Sequence, residues 1–170
     1  MTKGFFVTAV LTALAPTILW AAELPKKAVL THEVAETMIS ACFAAQKAAG
    51  YVKVNVVVVD DGGRLIAAAR QDGACKACTA IAQNKAITAA LYAAPTRAMA
   101  DLSFGKKRDG VDAGLPGAAF VPGLVAFAGG LPIKTAAGDI IGAIGVSGAS
   151  EDQDESCAQA GLDAISVSLK

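Results

Sequence analysis

The feature that most constrains the fold is a valine run that ends in two aspartates and two glycines, "YVKVNVVVVDDGG", at residues 51–63. Its first half alternates valine with Lys53 and Asn55, which is the period of a β-strand. Its second half is apolar at every position, which indicates that both faces of the strand are covered. The glycines favour a tight turn, and the chain returns over residues 64–70. The sequence therefore predicts a β-hairpin inside a layered protein.

Three helices are predicted around this hairpin. The segment "LTHEVAETMISACFAAQKAAG" has Thr31 as a helix N-cap and Gly50 as a C-terminal stop. The Ala-rich segment "CKACTAIAQNKAITAALYAA" is ended by Pro95. The last helix, "SEDQDESCAQAGLDAISVSL", begins with a capping box formed by Ser150 and Gln153.

The remaining segments complete an order of α-β-β-α-β-β-β-α. Residues 96–103 favour a short helix that leads into a long loop, and residues 124–148 favour three short strands separated by "GG" and "AAGD". The last strand contains Gly142 and Gly145, which indicate a bulge or a close backbone approach. Neither run of strands has room for a crossover helix. We therefore expect one α/β (α+β) domain with a five-stranded, mainly antiparallel sheet and helices packed on it.

The composition limits the location and the partners of the chain. Fifteen basic and fifteen acidic side chains among 170 residues leave no positive surplus for nucleic acid. Lys3 is followed by an uncharged stretch up to residue 22, which predicts a signal peptide at 1–22, a mature domain at 23–170 and export to the periplasm or beyond. A membrane anchor is the alternative, since about 18 apolar residues can span a bilayer. Pro16 weakens the anchor, and no membrane contact is expected after cleavage.

Two pairs of cysteines need an interpretation. Cys75 and Cys78 form a C-x-x-C motif at the start of a helix, but Thr79 follows instead of the histidine that covalent haem attachment requires. Export favours a disulfide between them, while a redox-active thiolate, a metal site and plain cysteines remain open. Cys42 and Cys157 lie on the apolar faces of the first and last helices, where a bridge and two buried thiols are both open.

Several ordered motifs resemble the GlcG/HbpS-type haem-binding proteins, which are related to the carboxy-terminal domain of PduO. The resemblance spans residues 30–169 and rests on "VVVVDDGGRLIAAARQDGA", "NKAITAA", "FVPGLVAFAGGLPI" and "GDIIGAIGVSGASEDQDESCAQAGLDA". It implies a profilin-like sheet, assembly into homo-oligomers, and haem as the cofactor. Its expected role is that of a carrier, a buffer or a sensor.

The resemblance directs attention to charged and ligating residues. His32 is the only histidine and has the chemistry of an iron ligand, although a solvated residue at a helix start is the alternative. Lys85, in "NKAITAA", is similar to a recurring lysine of the family and can meet a carboxylate of haem or of a small acid. Asp60, at the end of the first strand, is a possible partner for it. A surface lysine on an amphipathic helix is the alternative.

Further candidates come from the mixed segment. Arg97 and the cluster "GKKRDG" at 105–110 can attract haem propionates, unless the loop is simply solvated. Phe120 can line an apolar haem face, together with Phe104 and Phe127, unless each belongs to the core.

Three functions follow from these observations. The first is an exported haem-binding protein. The second is an enzyme or accessory protein for a small anionic metabolite, with Lys85 near Asp60. The third is a ligand-free oligomeric partner of an exported dehydrogenase or receptor. No Ser-His-Asp set is visible, and no residue is assigned a catalytic role.

Overall fold

The computed structural model describes residues 1, 24, 26–105 and 114–170. Residues 2–22 of the expected signal peptide and 106–110 of the basic cluster lie outside the described residues. Two short 3₁₀ helices, Pro116–Phe120 and Ser166–Leu169, accompany the longer elements. These are α1 (His32–Ala49), β1 (Asn55–Asp60), β2 (Leu65–Arg70), α2 (Cys78–Tyr92), α3 (Thr96–Phe104), β3 (Gly130–Lys134), β4 (Ile140–Ser147) and α4 (Glu151–Ala164).

The described residues form one antiparallel sheet in the order β2-β1-β4-β3. A single α+β domain with an antiparallel sheet is therefore confirmed, but the sheet has four strands in this part of the chain and the predicted count of five is wrong. The segment before β3 is not a strand because its backbone donors bind side chains. The Val125 amide donates to the Thr88 hydroxyl at 3.0 Å, and the Ala128 amide donates to the Glu151 carboxylate at 3.2 Å.

Helices cover both faces of the sheet, as the apolar half of β1 predicts. On one face, Val56 and Val58 belong to a buried cluster with residues of α1 and α4. On the other face, Val57 and Val59 lie against the alanines of α2. Alternate valines of β1 therefore point to opposite faces of the sheet, and each set packs against a different layer of helices.

The Ala-rich helix α2 packs at a distance that only glycine allows. A Cβ atom built on Gly145 of β4 would lie 2.1 Å from the Ala82 carbonyl oxygen and 2.5 Å from the Ala86 amide nitrogen. The sequence predicts a close backbone approach at this glycine, and in the structure the approaching element is α2.

The helix ends follow the sequence signals. The Thr31 hydroxyl accepts from the Val34 amide, Gly50 adopts a φ of 68° after α1, and Ser150 and Gln153 form the predicted capping box. Across the described residues, no helix combines the length and the apolar character needed to cross a membrane.

Candidate functional site

Lys85 of α2 is completely buried, with no exposed surface. Its Nζ atom donates to the carboxylate of Asp154 and to the carbonyl oxygen of Val146, both at 2.9 Å. The ring of Phe127 lies 4.8 Å from the same nitrogen, within the range of a cation–π contact. The ammonium group therefore has three partners inside the protein.

The electrostatics of Lys85 are those of a closed ion pair. Burial lowers the pKa of Lys85, and the hydrogen bond to Asp154 opposes that shift. The second oxygen of Asp154 accepts from the Ala149 amide at 3.0 Å. A Cβ atom on Gly129 would lie 2.6 Å from the Lys85 nitrogen, so the glycine leaves the room that the ammonium fills. In this conformation Lys85 is sealed from any ligand.

Arg97 of α3 binds the same turn of α4 at the surface. Its guanidinium donates to Glu155 at 2.6 Å and to Asp152 at 2.5 Å. These two hydrogen bonds, that of Glu155 first, raise the pKa of Arg97. The acidic run "EDQDE" at 151–155 therefore forms an acidic anchor that holds α2, α3 and the segment before β3 on α4.

Of the residues predicted to bind haem, Lys85 and Arg97 meet at the same turn of α4, and Asp60 does not join them. Asp60 accepts from the amides of Gly62 at 2.9 Å and Arg64 at 2.8 Å, which closes the hairpin turn. The expected pair between Lys85 and Asp60 is not formed, because Asp154 takes its place. Phe120 is 85 % exposed at the end of a 3₁₀ helix.

Asp154 is the partner of Lys85 that sequence reasoning missed. A signal for it exists, because Asp154 shares a helical stripe with Cys157, Ala158 and Gly161, and all four are buried. A carboxylate on an apolar stripe needs a cation or hydrogen-bond donors inside the protein, and the isolated lysine of α2 is a matching group.

His32 lies in a different place, at the N-terminus of α1. Its side chain is 64 % exposed, with Nδ1 3.3 Å from the Ile66 carbonyl oxygen and Nε2 3.2 Å from the Glu36 carboxylate. It borders a cleft of about 360 Å³ between α1 and β2. The other residues that line the cleft are Glu36, Ile39, Ser40, Ala67, Ala68 and Ala69.

His32 can serve as a metal ligand once Glu36 leaves Nε2. When Nδ1 carries the proton and donates a hydrogen bond to the Ile66 carbonyl oxygen, the lone pair of Nε2 is available to a metal. Glu36 then accepts no hydrogen bond from the ring and must move aside. Arg64 and Arg70 are exposed on either side of the three alanines along the strand. Within residues 26–105 and 114–170, no group of three or more His, Cys, Asp or Glu side chains can hold a metal ion.

Two other clefts have similar volumes but no histidine. One of about 410 Å³ at the end of α1 is lined in part by Phe43, Lys47, Tyr51 and Lys53. The other, of about 420 Å³, lies between β3 and α4 and is largely apolar. Of these three clefts, the one between α1 and β2 is therefore the one that is lined by an imidazole.

The sulfurs of Cys75 and Cys78 lie at disulfide distance, with an S–S separation of 2.18 Å and a Cα–Cα separation of 5.3 Å. Cys75 lies just before α2, and Cys78 is the first residue of that helix. The Cys75 carbonyl oxygen accepts a hydrogen bond from the Asn55 side chain at 3.2 Å. Cys42 and Cys157 are buried free thiols.

Replacing Cys75 and Cys78 together with serine is expected to lower the free energy of unfolding by roughly 1–2 kcal/mol, because the closed loop is short and restricts few unfolded conformations. Urea unfolding of the variant and the parent protein without reductant measures the loss. With dithiothreitol present the two proteins should unfold alike, and a difference that persists in reductant would contradict an effect of the disulfide.

The fold and these sites define a class: a single-domain α+β protein with helices on both faces of an antiparallel sheet and a histidine at a surface cleft. The chain belongs to the family described as "Haem degrading protein HbpS-like", whose model matches residues 30–163. The resemblance seen in the sequence is thereby confirmed.

Individual relatives agree with this assignment. Protein GlcG of Escherichia coli strain K12 is 33 % identical over 121 residues, which cover 71 % of this chain and 83 % of GlcG. A double mutant of Streptomyces reticuli HbpS superposes with a TM-score of 0.72 at 34 % identity, covering 91 % of this chain and 99 % of that one. A PduOC:heme complex gives a TM-score of 0.70 at 25 % identity, covering 81 % and 96 %.

Proposed function

We propose that this protein binds haem in the cleft between α1 and β2, with His32 as the protein ligand of the iron. Membership of the HbpS-like family and similarity to a protein crystallised with haem support the choice of ligand. The observation that carries the choice of site is the His32 imidazole, whose Nδ1 faces the Ile66 carbonyl at the mouth of a cleft.

The residues of the cleft fit the chemistry of haem. The porphyrin supplies four nitrogen ligands to its iron, so one imidazole from the protein suffices and no cluster of protein ligands is needed. Ala67 and Ala69 share the face of β2 that is turned towards α1, and their small side chains leave room for a flat ring close to the strand. Arg64 or Arg70, one at each end of this stretch, can approach the propionates at one edge of the ring, since guanidinium groups bind carboxylates well.

Lys85 and Arg97, the two cations bound by the acidic anchor of α4, have another role. Lys85 is sealed inside the protein, and Arg97 is already bound to Asp152 and Glu155. A propionate would have to break those ion pairs in order to bind. We therefore assign Lys85 and Arg97 to the stability of the fold. The exposed Arg70, and Arg64 with its looser 3.8 Å contact to Asp60, are assigned to the ligand.

We further propose that the protein is exported and serves as a haem carrier, buffer or sensor, as a homo-oligomer. The basic, then uncharged N-terminal segment supports export, and the Cys75–Cys78 pair at disulfide distance suits an oxidising compartment. A reversible carrier needs a cleft open to solvent, and the cleft beside His32 opens at the protein surface.

Titration with haemin tests the proposal. The native protein is expected to give a saturable Soret change at about one haem per chain. Ser40→Trp should weaken haemin binding by at least about tenfold, because an indole placed on an exposed position of α1 would fill the cleft. A matched control is Thr37→Trp, which adds the same ring on an exposed position of the same helix away from the cleft.

Both tryptophan variants should keep the stability of the parent protein within about 0.5 kcal/mol, since both positions are exposed. Absence of any saturable Soret change in the parent protein would overturn haem binding itself. Equal affinities of Ser40→Trp and Thr37→Trp would instead place the haem outside this cleft.

A further inference from the structure

Cys42 and Cys157 meet in the buried layer between α1 and α4. Both side chains have no exposed surface and belong to the same apolar cluster. The neighbouring Cys157 thiol, followed by burial, raises the pKa of the Cys42 thiol. The pair is therefore a contact between two helices and not two unrelated buried residues.

The helices approach each other closely at this level. Gly161, one turn after Cys157, lies against Met38, one turn before Cys42. A Cβ atom on Gly161 would be 3.1 Å from the Met38 carbonyl oxygen and 3.4 Å from the Met38 Cβ. A disulfide needs Cα atoms about 4.4–6.8 Å apart, which only closely packed helices can provide. The glycine lets α1 and α4 pack closely in the turn next to the two cysteines, which is the condition that a disulfide between them requires.

We propose that Cys42 and Cys157 are a second disulfide site, open in the reduced protein and closed by a small-molecule disulfide, which ties α1 to α4. The site is independent of the Cys75–Cys78 pair, which lies at the start of α2. It is also independent of haem, because neither cysteine borders the cleft beside His32.

The chemistry is a thiol–disulfide exchange with oxidised glutathione as the oxidant. One cysteine thiolate attacks a glutathione sulfur, which forms a mixed disulfide and releases one reduced glutathione. The second cysteine then attacks the mixed disulfide, forms the Cys42–Cys157 bond and releases the second glutathione. The two thiol protons and the two electrons end on the two glutathione molecules.

Burial determines when this exchange takes place. A thiol without exposed surface reacts slowly in the folded protein, because reaction needs the exposed thiolate. During folding, before α1 and α4 close, both thiols are accessible. Once formed, the bond would be protected from reductants by the same burial. The cross-link would join the helix that carries His32 to the helix that carries the acidic anchor.

The test uses the full chain with Cys75→Ser and Cys78→Ser, so that only the proposed pair remains. This protein is unfolded, reduced and refolded in a buffer of reduced and oxidised glutathione, then denatured and alkylated. The expected result is no alkylated cysteine, a monomer on a non-reducing gel, and a peptide that links Cys42 to Cys157. The melting temperature should exceed that of the reduced form by about 5–10 °C.

The same protein with Cys42→Ala is the control, and it should keep one thiol or carry one glutathione, with no rise in melting temperature on oxidation. Two alkylated cysteines after oxidative refolding would overturn the proposal, as would glutathione adducts on both thiols or disulfide-linked dimers alone. A linked peptide without any stabilisation would overturn the claim that the bond fits the native helices.

Discussion

Replacing Lys85 with methionine is expected to lower the free energy of unfolding by about 3–5 kcal/mol, because it leaves the buried Asp154 carboxylate without its cation. The Val146 carbonyl loses its donor in the same change. Methionine is apolar and similar in length, so the loss reports the missing charge more than a missing volume. Urea unfolding of the variant and the parent protein measures the difference.

A second variant separates the cost of the unpaired charge from the cost of general disruption of the core. Lys85→Met with Asp154→Asn removes both charges and keeps an amide oxygen that can accept from the Ala149 amide. We expect it to recover at least about 1 kcal/mol relative to Lys85→Met, since an uncompensated buried charge is the main cost. Lys76→Met, on an exposed lysine, is the matched control and should be neutral within about 0.5 kcal/mol. Additive losses in the double variant would contradict a coupled pair.

Gly145→Ala is expected to lower the free energy of unfolding by about 3 kcal/mol, at the upper end of the usual cost of overpacking. The added methyl group would meet backbone atoms of Ala82 and Ala86 at 2.1 and 2.5 Å, and backbone cannot move aside as a flexible side chain can. To make room, α2 would have to withdraw from β4 and loosen the buried ion pair that Lys85 makes from the same helix.

The matched control for this prediction is Gly117→Ala. A Cβ atom on Gly117 would meet no atom within 4 Å, and this glycine does not need a positive φ. Chemical denaturation should therefore show little change for Gly117→Ala, within about 0.5 kcal/mol. Similar losses in the two variants would indicate that helix and loop propensities, not the contact with α2, set the cost.

Local patterns in the sequence predicted most of the fold. The apolar half of β1 required two covering layers, and the capping residues predicted both ends of α1 and the start of α4. The predicted last helix was too long, because α4 ends at Ala164 and a separate 3₁₀ helix follows. The segment at 124–128 was mistaken for a strand because its composition is that of a strand. Its amides bind Thr88 and Glu151, which lie far away in the sequence, and no local pattern shows such a long-range competition.

The candidate site shows the same limit. An isolated lysine on an apolar helix predicts a special environment, but it does not reveal which carboxylate the fold brings to it. Asp60 was the expected partner because it ends a neighbouring strand, whereas Asp154 reaches Lys85 from a helix on the other face of the sheet. The tertiary fold also separates His32 from Lys85 and Arg97, so residues grouped by family resemblance serve two different parts of the molecule.

The central claim is that haem binds beside His32 and not at the acidic anchor of α4. Parallel haemin titrations of His32→Ala and Arg97→Gln test it most directly, because each variant alters one place and both positions are exposed. We predict that His32→Ala weakens binding at least about tenfold, or roughly 1.4 kcal/mol, and shifts the Soret band. Arg97→Gln should bind haemin as the parent protein does. Unchanged affinity in His32→Ala together with a loss in Arg97→Gln would contradict the claim.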